Sequence, residues 1–353
     1  MSALLELLRI ELPIVQAAMA GVSTPAMAAA VSNAGALGSL GVGATNAKGA
    51  GEMIAKFREL SKRSLHVNVF CHAKAVADAK REAAWIERFR PAFKAFNAEP
   101  PNALTEIYRS FVEDDEMLAM FVATRPRVVS FHFGLPATQK IAVLKQAGIV
   151  LLASATNVRE AKVCEAAGVD GVIAQGYEAG GHRGAFDENA DDDRLGTLAL
   201  TRLLVRNLKL PVLAAGGIMD GAGIAAALKL GASAAVLGTA FIGCPESSAD
   251  AGYRAALHTD AAQHTTLVRA VSGRPARCLA NRFTALEVDD KDIPAYPIAY
   301  DLGKALHAAG KAKGEFGYGA QWAGQGAPLI RTMPAGELVK VLAEELRSSL
   351  AAS

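Results

Sequence analysis

The sequence has few cysteines and none of the short motifs that mark common metal and nucleotide sites. Four cysteines in 353 residues form no Cys-x-x-Cys pair, which argues against a disulfide framework and a cysteine zinc site and predicts reduced thiols. No His-Glu-x-x-His, Gly-x-Ser-x-Gly or Walker sequence occurs, and GVGATN (41–46) lacks the third glycine of a dinucleotide fingerprint. The acidic run DENADDD (187–193) is interpreted as a solvated loop. We therefore expect no metal ligands, and chemistry that belongs to a bound organic cofactor.

An excess of charge of either sign is lacking as well. The formal net charge is +2, with no block of like charges, so neither a nucleic-acid nor a membrane partner is expected. The uncharged stretch between Glu11 and Lys48 is broken by prolines, glycines and polar residues, which argues against a membrane span. Glu6 and Arg9 interrupt the apolar core that a signal peptide needs. These features predict a soluble globular protein in the cytoplasm.

Short apolar runs rich in β-forming residues recur along the chain, mostly followed by turn residues and a helical pattern. Runs that are apolar on both faces and alternate with helices predict a parallel sheet covered by helices. The eight predicted strands are PIVQAAM (13–19), LGSLGV (37–42), HVNVFC (66–71), VVSFHF (128–133), IVLLAS (149–154), GVIAQ (171–175), PVLAAG (211–216) and AAVLGTA (234–240).

The predicted helix ends support this repeat. In STPAMAAAVSNAG, Ser23 or Thr24 can cap a helix with Pro25 in its first turn, and Gly35 suits a left-handed stop. The same stop recurs directly before three later strands, at Gly148, Gly168 and Gly231. Eight such units predict an α/β fold, a (β/α)8 TIM barrel, with a doubly wound open sheet as the alternative.

Three segments exceed what a barrel needs: residues 73–127, residues 176–200 and the tail after about 245. Insertions at the carboxyl ends of barrel strands build the catalytic face. We expect residues 1–72 and 128–245 to form the barrel. The helical insertion 73–127 and the C-terminal region 246–353 are expected to form a smaller, mostly helical substrate domain, with a return to the barrel.

The stretch GYEAGGHRGAF (176–186) follows the sixth predicted strand and contains His182. The histidine has no apolar face to join, and the glycines before it leave backbone room for a flat ligand. Because histidine titrates near neutrality, His182 is predicted to move a proton or to hold an anion. For His132, inside an apolar strand, a structural and a functional role are both open. No role is assigned to His66, His258, His264 or His307.

Glycine turns follow both of the last two predicted strands, at Gly216–Gly217 and at Gly238. Exposed N–H groups at such turns can cradle a phosphate, and the loops after strands 7 and 8 of TIM barrels commonly do so. A helix stop or close packing is the alternative. In the first turn, Asp220 is predicted to cap the following helix.

Taken together, PIVQAAMAGVSTPAMAAAVSNAGALGSLG, HVNVF, SFHFGLP, AQGYEAGGHRGAF and LAAGGIMDG closely resemble the FMN-dependent nitronate monooxygenases. YPIAYDLGKAL (296–306) and YGAQWAGQGAPL (318–329) resemble the tail of that family's larger bacterial and fungal class. The resemblance covers nearly the whole chain in the family's order. One departure is QAAM, where a proline often precedes the methionine.

The resemblance implies a (β/α)8 barrel that holds FMN, with a smaller domain closing over the flavin. It assigns the active-site histidine to His182 and the substrate pocket to His132, Tyr296, Tyr300 and Lys304. Implied FMN contacts are Ala18, Met19, Asn68, Gln175, Gly180 and Gly181 around the ring and ribityl chain, Gly216, Gly217, Leu237, Gly238 and Thr239 at the phosphate, and Gln321, Trp322 and Gln325 from the tail.

The implied activity is the oxidation of small alkyl nitronates, including propionate 3-nitronate, by O2 to a carbonyl compound and nitrite. The expected partners are thus an anionic nitronate and O2, and the chain is expected to be a monomer or homodimer. One alternative is an FMN-dependent NAD(P)H reductase of quinones or enoyl thioesters on the same barrel. Another is a non-catalytic barrel that binds a phosphorylated ligand.

Overall fold

Eight parallel strands form a barrel in the computed structural model, which describes residues 3–351. All eight predicted strands are present and the open-sheet alternative is wrong, but the first strand ends at Gln16 and the last at Leu237, because Thr239 and Ala240 already belong to a helix. The strands are β1 (Ile14–Gln16), β2 (Gly38–Gly41), β3 (Leu65–Phe70), β4 (Val128–His132), β5 (Val150–Ala155), β6 (Gly171–Gln175), β7 (Gly181–His182), β8 (Val212–Ala215), β9 (Ala234–Leu237), β10 (Thr265–Val268) and β11 (Ala276–Leu279). The order around the barrel is β1-β9-β8-β6-β5-β4-β3-β2, and the barrel closes where Gln16 N donates to Leu37 O at 2.9 Å.

Several helices begin at a side chain that caps them and end at a predicted glycine stop. Thr24 Oγ1 accepts from Met27 N at 3.0 Å, and Asp220 Oδ1 accepts from Gly223 N at 2.8 Å. The predicted glycine stops have positive φ, from 78° at Gly148 to 99° at Gly231. The helices are α1 (Ala3–Leu8), α2 (Pro25–Asn33), α3 (Ala47–Leu60), α4 (Ala79–Ala95), α5 (Asp115–Thr124), α6 (Thr138–Gln146), α7 (Val158–Ala167), α8 (Thr197–Asn207), α9 (Gly221–Lys229), α10 (Thr239–Ile242), α11 (Ala251–Ala256), α12 (Ile298–Lys311) and α13 (Ala335–Ala351).

The main core lies between the barrel strands and the helices around them. Helix α5 belongs to this layer, because it packs against α3 and α6 and buries Phe121 in the barrel core. The 73–127 segment therefore supplies a barrel helix, α5, as well as helix α4 outside the barrel layer. At the other end of the chain, α13 returns to pack on α9 and α2.

A second apolar cluster joins the rest of the insertion to the C-terminal region. Helix α4 packs on α12, and Phe89 of α4, which also contacts Trp85 of the same helix, forms an aromatic contact with Phe283 of the C-terminal region. Strands β10 and β11 form a hairpin, and β11 also pairs with β7, so a three-stranded sheet stands beside the barrel mouth. The exact domain limits stay a prediction.

Within residues 3–351, no helix has both the length and the apolar character needed to cross a membrane.

Candidate active site

A cavity of about 610 Å³ opens at the carboxyl ends of the barrel strands. This volume is within the usual range for small-molecule and cofactor sites. The chain brings most of the predicted site residues together around it. Those that line the cavity are His182, His132, Tyr296, Tyr300, Lys304, Ala18, Met19, Asn68, Gln175, Gly180, Gly181, Gly216, Gly217, Gly238, Thr239 and Trp322.

Three predicted cofactor contacts do not line this cavity. The Leu237 side chain is fully buried in an apolar cluster with α2 and α13, on the other side of β9. Gln321 is buried in the tail, where its Nε2 donates to Phe316 O at 3.3 Å. Gln325 lines a smaller neighbouring cavity of about 340 Å³, which also touches Gly216 and Gly217.

The loop around His182 is fixed from both sides by hydrogen bonds. As part of β7, His182 pairs with Ala276 of β11. Its carbonyl accepts from Gln175 Nε2 at 2.9 Å and from His132 Nε2 at 3.2 Å. Gln175 Oε1 also accepts from Gly184 N at 2.7 Å, so one glutamine at the end of β6 holds both sides of the loop's turn.

The His182 ring lies in a mostly aromatic surrounding. Its centroid is 5.0 Å from the Trp322 ring and 5.3 Å from the Tyr296 ring, and its Nε2 is 2.9 Å from Ser272 Oγ. Burial lowers the pKa of His182 well below its ordinary value, and His132 and Arg274 nearby lower it further. His182 is therefore a neutral imidazole near pH 7, able to accept a proton at one nitrogen.

Arg183 acquires a structural role that its sequence context did not suggest. Its Nε and Nη2 bind the two carboxylate oxygens of Asp192 at 2.7 and 2.9 Å, and its Nη1 donates to Gln175 O at 2.5 Å. Glu188 faces the buried Arg274 at 3.6 Å. The interpretation of 187–193 as a solvated loop is thus wrong for Asp192 and Glu188, because buried arginines recruit both carboxylates.

The two predicted phosphate turns expose backbone donors to the cavity. Gly216 and Gly217 have φ of +127° and +70°, and a Cβ on Gly216 would lie 2.6 Å from Thr197 Oγ1. Within residues 3–351, the N–H groups of Gly217 and Gly238 donate to no acceptor. Unpaired N–H groups at adjacent turns can bind an anionic group such as a phosphate.

Another part of the cavity wall carries tyrosines and the Lys304 cation. Lys304 Nζ lies 4.9 Å from the centre of the Tyr108 ring and 5.5 Å from that of Tyr300. Burial raises the pKa of Tyr300 to about 12 and lowers the pKa of Lys304. Tyr300 is therefore a neutral hydroxyl near pH 7. Sequence reasoning missed Tyr108, which lies in an irregular segment of the insertion.

His66, to which the sequence assigned no role, lines the bottom of the cavity. Its Nδ1 lies 2.8 Å from Ser39 Oγ and its Nε2 2.6 Å from Ser130 Oγ, and burial lowers its pKa to about 4. Asn68 Nδ2 donates to the same Ser130 hydroxyl at 2.7 Å. Period-two alternation along β3 places residues 66 and 68 on one face, and this signal was available in the sequence.

Comparison with known proteins agrees with this architecture. The family model described as nitronate monooxygenase matches residues 1–345. A nitronate monooxygenase of Paraburkholderia phytofirmans is 61% identical over 350 residues, which span 99% of this chain and 96% of the relative. One of Pseudomonas aeruginosa is 52% identical over 343 residues, spanning 97% and 98%.

Solved structures show the same fold. A nitroalkane oxidase from Streptomyces ansochromogenes is 40% identical, with a TM-score of 0.90 and 99% of each chain covered. FabK from Thermotoga maritima is 27% identical, with a TM-score of 0.73, and covers 100% of this chain and 98% of its own. The family match over nearly the whole chain, together with these identities, shows that the chain belongs to the nitronate monooxygenase family.

Proposed function

We propose that this chain binds FMN in the 610 Å³ cavity and oxidises alkyl nitronates with O2 to a carbonyl compound and nitrite. The observation that carries the proposal is the position of His182, whose ring borders the cavity between Trp322 and the tyrosine wall. The family is flavin-dependent in general, and its members include the two relatives described above.

The cavity suits a flavin mononucleotide in three respects. Unpaired N–H groups at Gly217 and Gly238 would hold the phosphate. The side chains of Asn68 and Met19 would contact the rest of the cofactor from the barrel. Gly180 brings the loop backbone against the tail without a side chain in between. When bound, FMN supplies the one-electron chemistry that lets O2 react with the nitronate.

The side chains would bind and orient the substrate. A nitronate is an anion, and Lys304 provides a positive charge at the cavity wall beside Tyr108 and Tyr300. The aromatic rings around His182 exclude water, which strengthens the attraction of the anion to the lysine. His182 would take the proton from the α-carbon when the bound substrate is a neutral nitroalkane.

The test is aerobic turnover of propionate 3-nitronate by the FMN-loaded protein, followed by O2 uptake and nitrite release. We expect stoichiometric nitrite without consumption of NADH. Absence of nitrite with propionate 3-nitronate, ethyl nitronate and propyl-2-nitronate would refute the activity. Rapid bleaching of the flavin by NADH under anaerobic conditions would favour the reductase alternative instead.

His182→Asn tests the role of the histidine. If His182 moves a proton, kcat/KM for a neutral nitroalkane falls by roughly 10²–10⁴-fold, the usual contribution of general acid–base catalysis. A loss of less than tenfold on both a nitroalkane and its nitronate contradicts a catalytic role. Flavin content measured on the same preparations controls for loss of the cofactor.

A further inference from the structure

Among residues 3–351, the one polar partner of the His182 ring comes from the hairpin turn between β10 and β11. Ser272 lies in this turn, has no exposed surface, and places its Oγ 2.9 Å from His182 Nε2. The Ser272 and Gly273 N–H groups both donate to Arg269 O, at 3.1 and 2.8 Å, which fixes the turn.

The turn is also held against the tyrosine wall. Gly273 has φ of +94°, and a Cβ there would lie 2.6 Å from Pro294 O and 2.7 Å from Tyr296 N. The Ser272 hydroxyl therefore stands at a fixed distance from the imidazole, on a rigid element that belongs to neither the barrel nor the loop of His182.

A second contact of the same hydroxyl determines which way its proton points. Ser272 Oγ lies 3.3 Å from the carbonyl oxygen of Arg274, and this carbonyl has no other donor within residues 3–351. A carbonyl can only accept, so the hydroxyl satisfies it by donating. The hydroxyl oxygen then accepts from His182, and the Nε2 of the imidazole must carry a hydrogen. The opposite arrangement leaves a buried carbonyl without a partner, which is costly.

The other ring nitrogen is free to meet a ligand. Within the described chain, His182 Nδ1 has no hydrogen-bond partner, and it is not among the polar atoms that are fully enclosed without one. Because His182 lines the cavity, Nδ1 opens towards it. The tautomer of the adjacent His132 is fixed in the same way. Its Nε2 contacts the carbonyl oxygen of His182, which can only accept, so Nε2 must carry the hydrogen there as well.

We propose that Ser272 is a positioning residue that keeps His182 in the Nε2–H tautomer, so that the unprotonated Nδ1 faces the substrate. In this form His182 Nδ1 accepts a proton from the α-carbon of a neutral nitroalkane. The Nε2–H of the resulting imidazolium keeps its hydrogen and donates a hydrogen bond to Ser272 Oγ. A serine in this position orients the ring as a carboxylate does in catalytic triads, but adds no negative charge. The catalytic consequence rests on the proposed function, whereas the tautomer itself does not.

The test is two-bond ¹H–¹⁵N correlation spectroscopy of the FMN-loaded protein labelled with ¹⁵N-histidine, near pH 7.5. The His182 signals are those that vanish in His182→Gln. We expect one pyrrole-type nitrogen at Nε2 and one pyridine-type nitrogen at Nδ1. In Ser272→Ala both nitrogens should shift towards intermediate values, as the two tautomers exchange. Ser272→Thr, which keeps the hydroxyl, should restore the wild-type pattern.

Ser32→Ala is the matched control. It also removes a fully buried serine hydroxyl, one that donates to Ser64 O at 2.8 Å outside the cavity, and should leave the His182 signals in place. A wild-type ring protonated at Nδ1, or at both nitrogens, overturns the proposal, as does an unchanged single tautomer in Ser272→Ala. Failure to release nitrite would contradict the proposed activity without altering these resonances, so the two results are independent.

Discussion

Gly180→Ala should separate the loop of His182 from the C-terminal tail. An ideal Cβ at this position would lie 2.5 Å from Gly324 N and 2.6 Å from the carbonyl carbon of Ala323. These are backbone atoms that cannot rotate away. The same tail segment is tied down where Gly324 N donates to Thr239 Oγ1 at 3.0 Å and Ala323 N to Arg277 O at 3.2 Å. The methyl group must therefore displace a segment that borders the cavity.

The size of the effect follows from the overlap. An ordinary Cβ contact begins at 3.4 Å, so the tail has to move by roughly 1 Å. Overpacking of this kind costs about 1–3 kcal/mol. The entropy of unfolding, about 2.1 cal/mol/K per residue, makes each kcal/mol worth about 1.3 °C in a chain of this length. We expect a fall in Tm of about 1–4 °C and weaker FMN binding, by about tenfold, because Thr239 and Trp322 move with the tail.

Thermal unfolding followed by circular dichroism, with FMN titration of the apoprotein, measures both effects. Gly51→Ala is the control. Gly51 lies inside α3, where a Cβ would meet only Met120 Cγ of α5, at 3.7 Å. Alanine also favours a helix more than glycine does. That variant should unfold at or above the wild-type temperature. If Gly180→Ala matches Gly51→Ala in both Tm and FMN affinity, the close contact between loop and tail is not what holds the site together.

Three further outcomes are expected. Asp192→Asn should lower the free energy of unfolding, measured with denaturant at pH 7, by about 1–3 kcal/mol, because it leaves the buried Arg183 charge without its carboxylate. The loss is moderate because Asp192 itself is partly exposed to solvent. Burial alone would raise the pKa of Asp192, but hydrogen bonds from Arg183 lower it, so the difference between variant and wild type should shrink as the pH falls below about 4. Lys304→Met should raise KM for a nitronate about tenfold with a smaller change in kcat, whereas an equal loss in kcat and kcat/KM would contradict a binding role. Ser130→Ala removes the hydroxyl to which Asn68 donates and should weaken FMN binding about tenfold in a fluorescence titration, while unchanged affinity would exclude this contact from cofactor binding.

The barrel could be predicted from the sequence because local signals repeat with it. Each glycine stop before a strand reflects a left-handed φ that side chains avoid, as at Gly168 with +83°. The position of His182 after β6 followed from the same pattern. Leu237 was assigned to the cofactor from the resemblance, yet the alternation along β9 turns it to the helix side while Val236 lines the cavity.

The partners of the site residues could not be read from the sequence. The pairing of Arg183 with Asp192 depends on how an irregular loop folds back, and Ser272 reaches His182 across 90 residues of chain. Tyr108 approaches Lys304 only because the insertion packs on α12. Contacts of this kind arise from tertiary packing, which leaves no periodic signal in either segment.

The pairing of β7 with β11 also orders events during synthesis. The last barrel strand ends at Leu237. The carbonyl of Tyr177, just before the loop of His182, accepts from the Arg277 guanidinium, 100 residues further along the chain. Trp322, which borders His182, is synthesised later still. Domains fold from the N-terminus as the chain emerges, and distant contacts form late. All eight barrel strands are therefore synthesised before the partners of the His182 loop, and before helix α13, which packs on α2 and α9. The last quarter of translation, rather than the barrel itself, completes the active site.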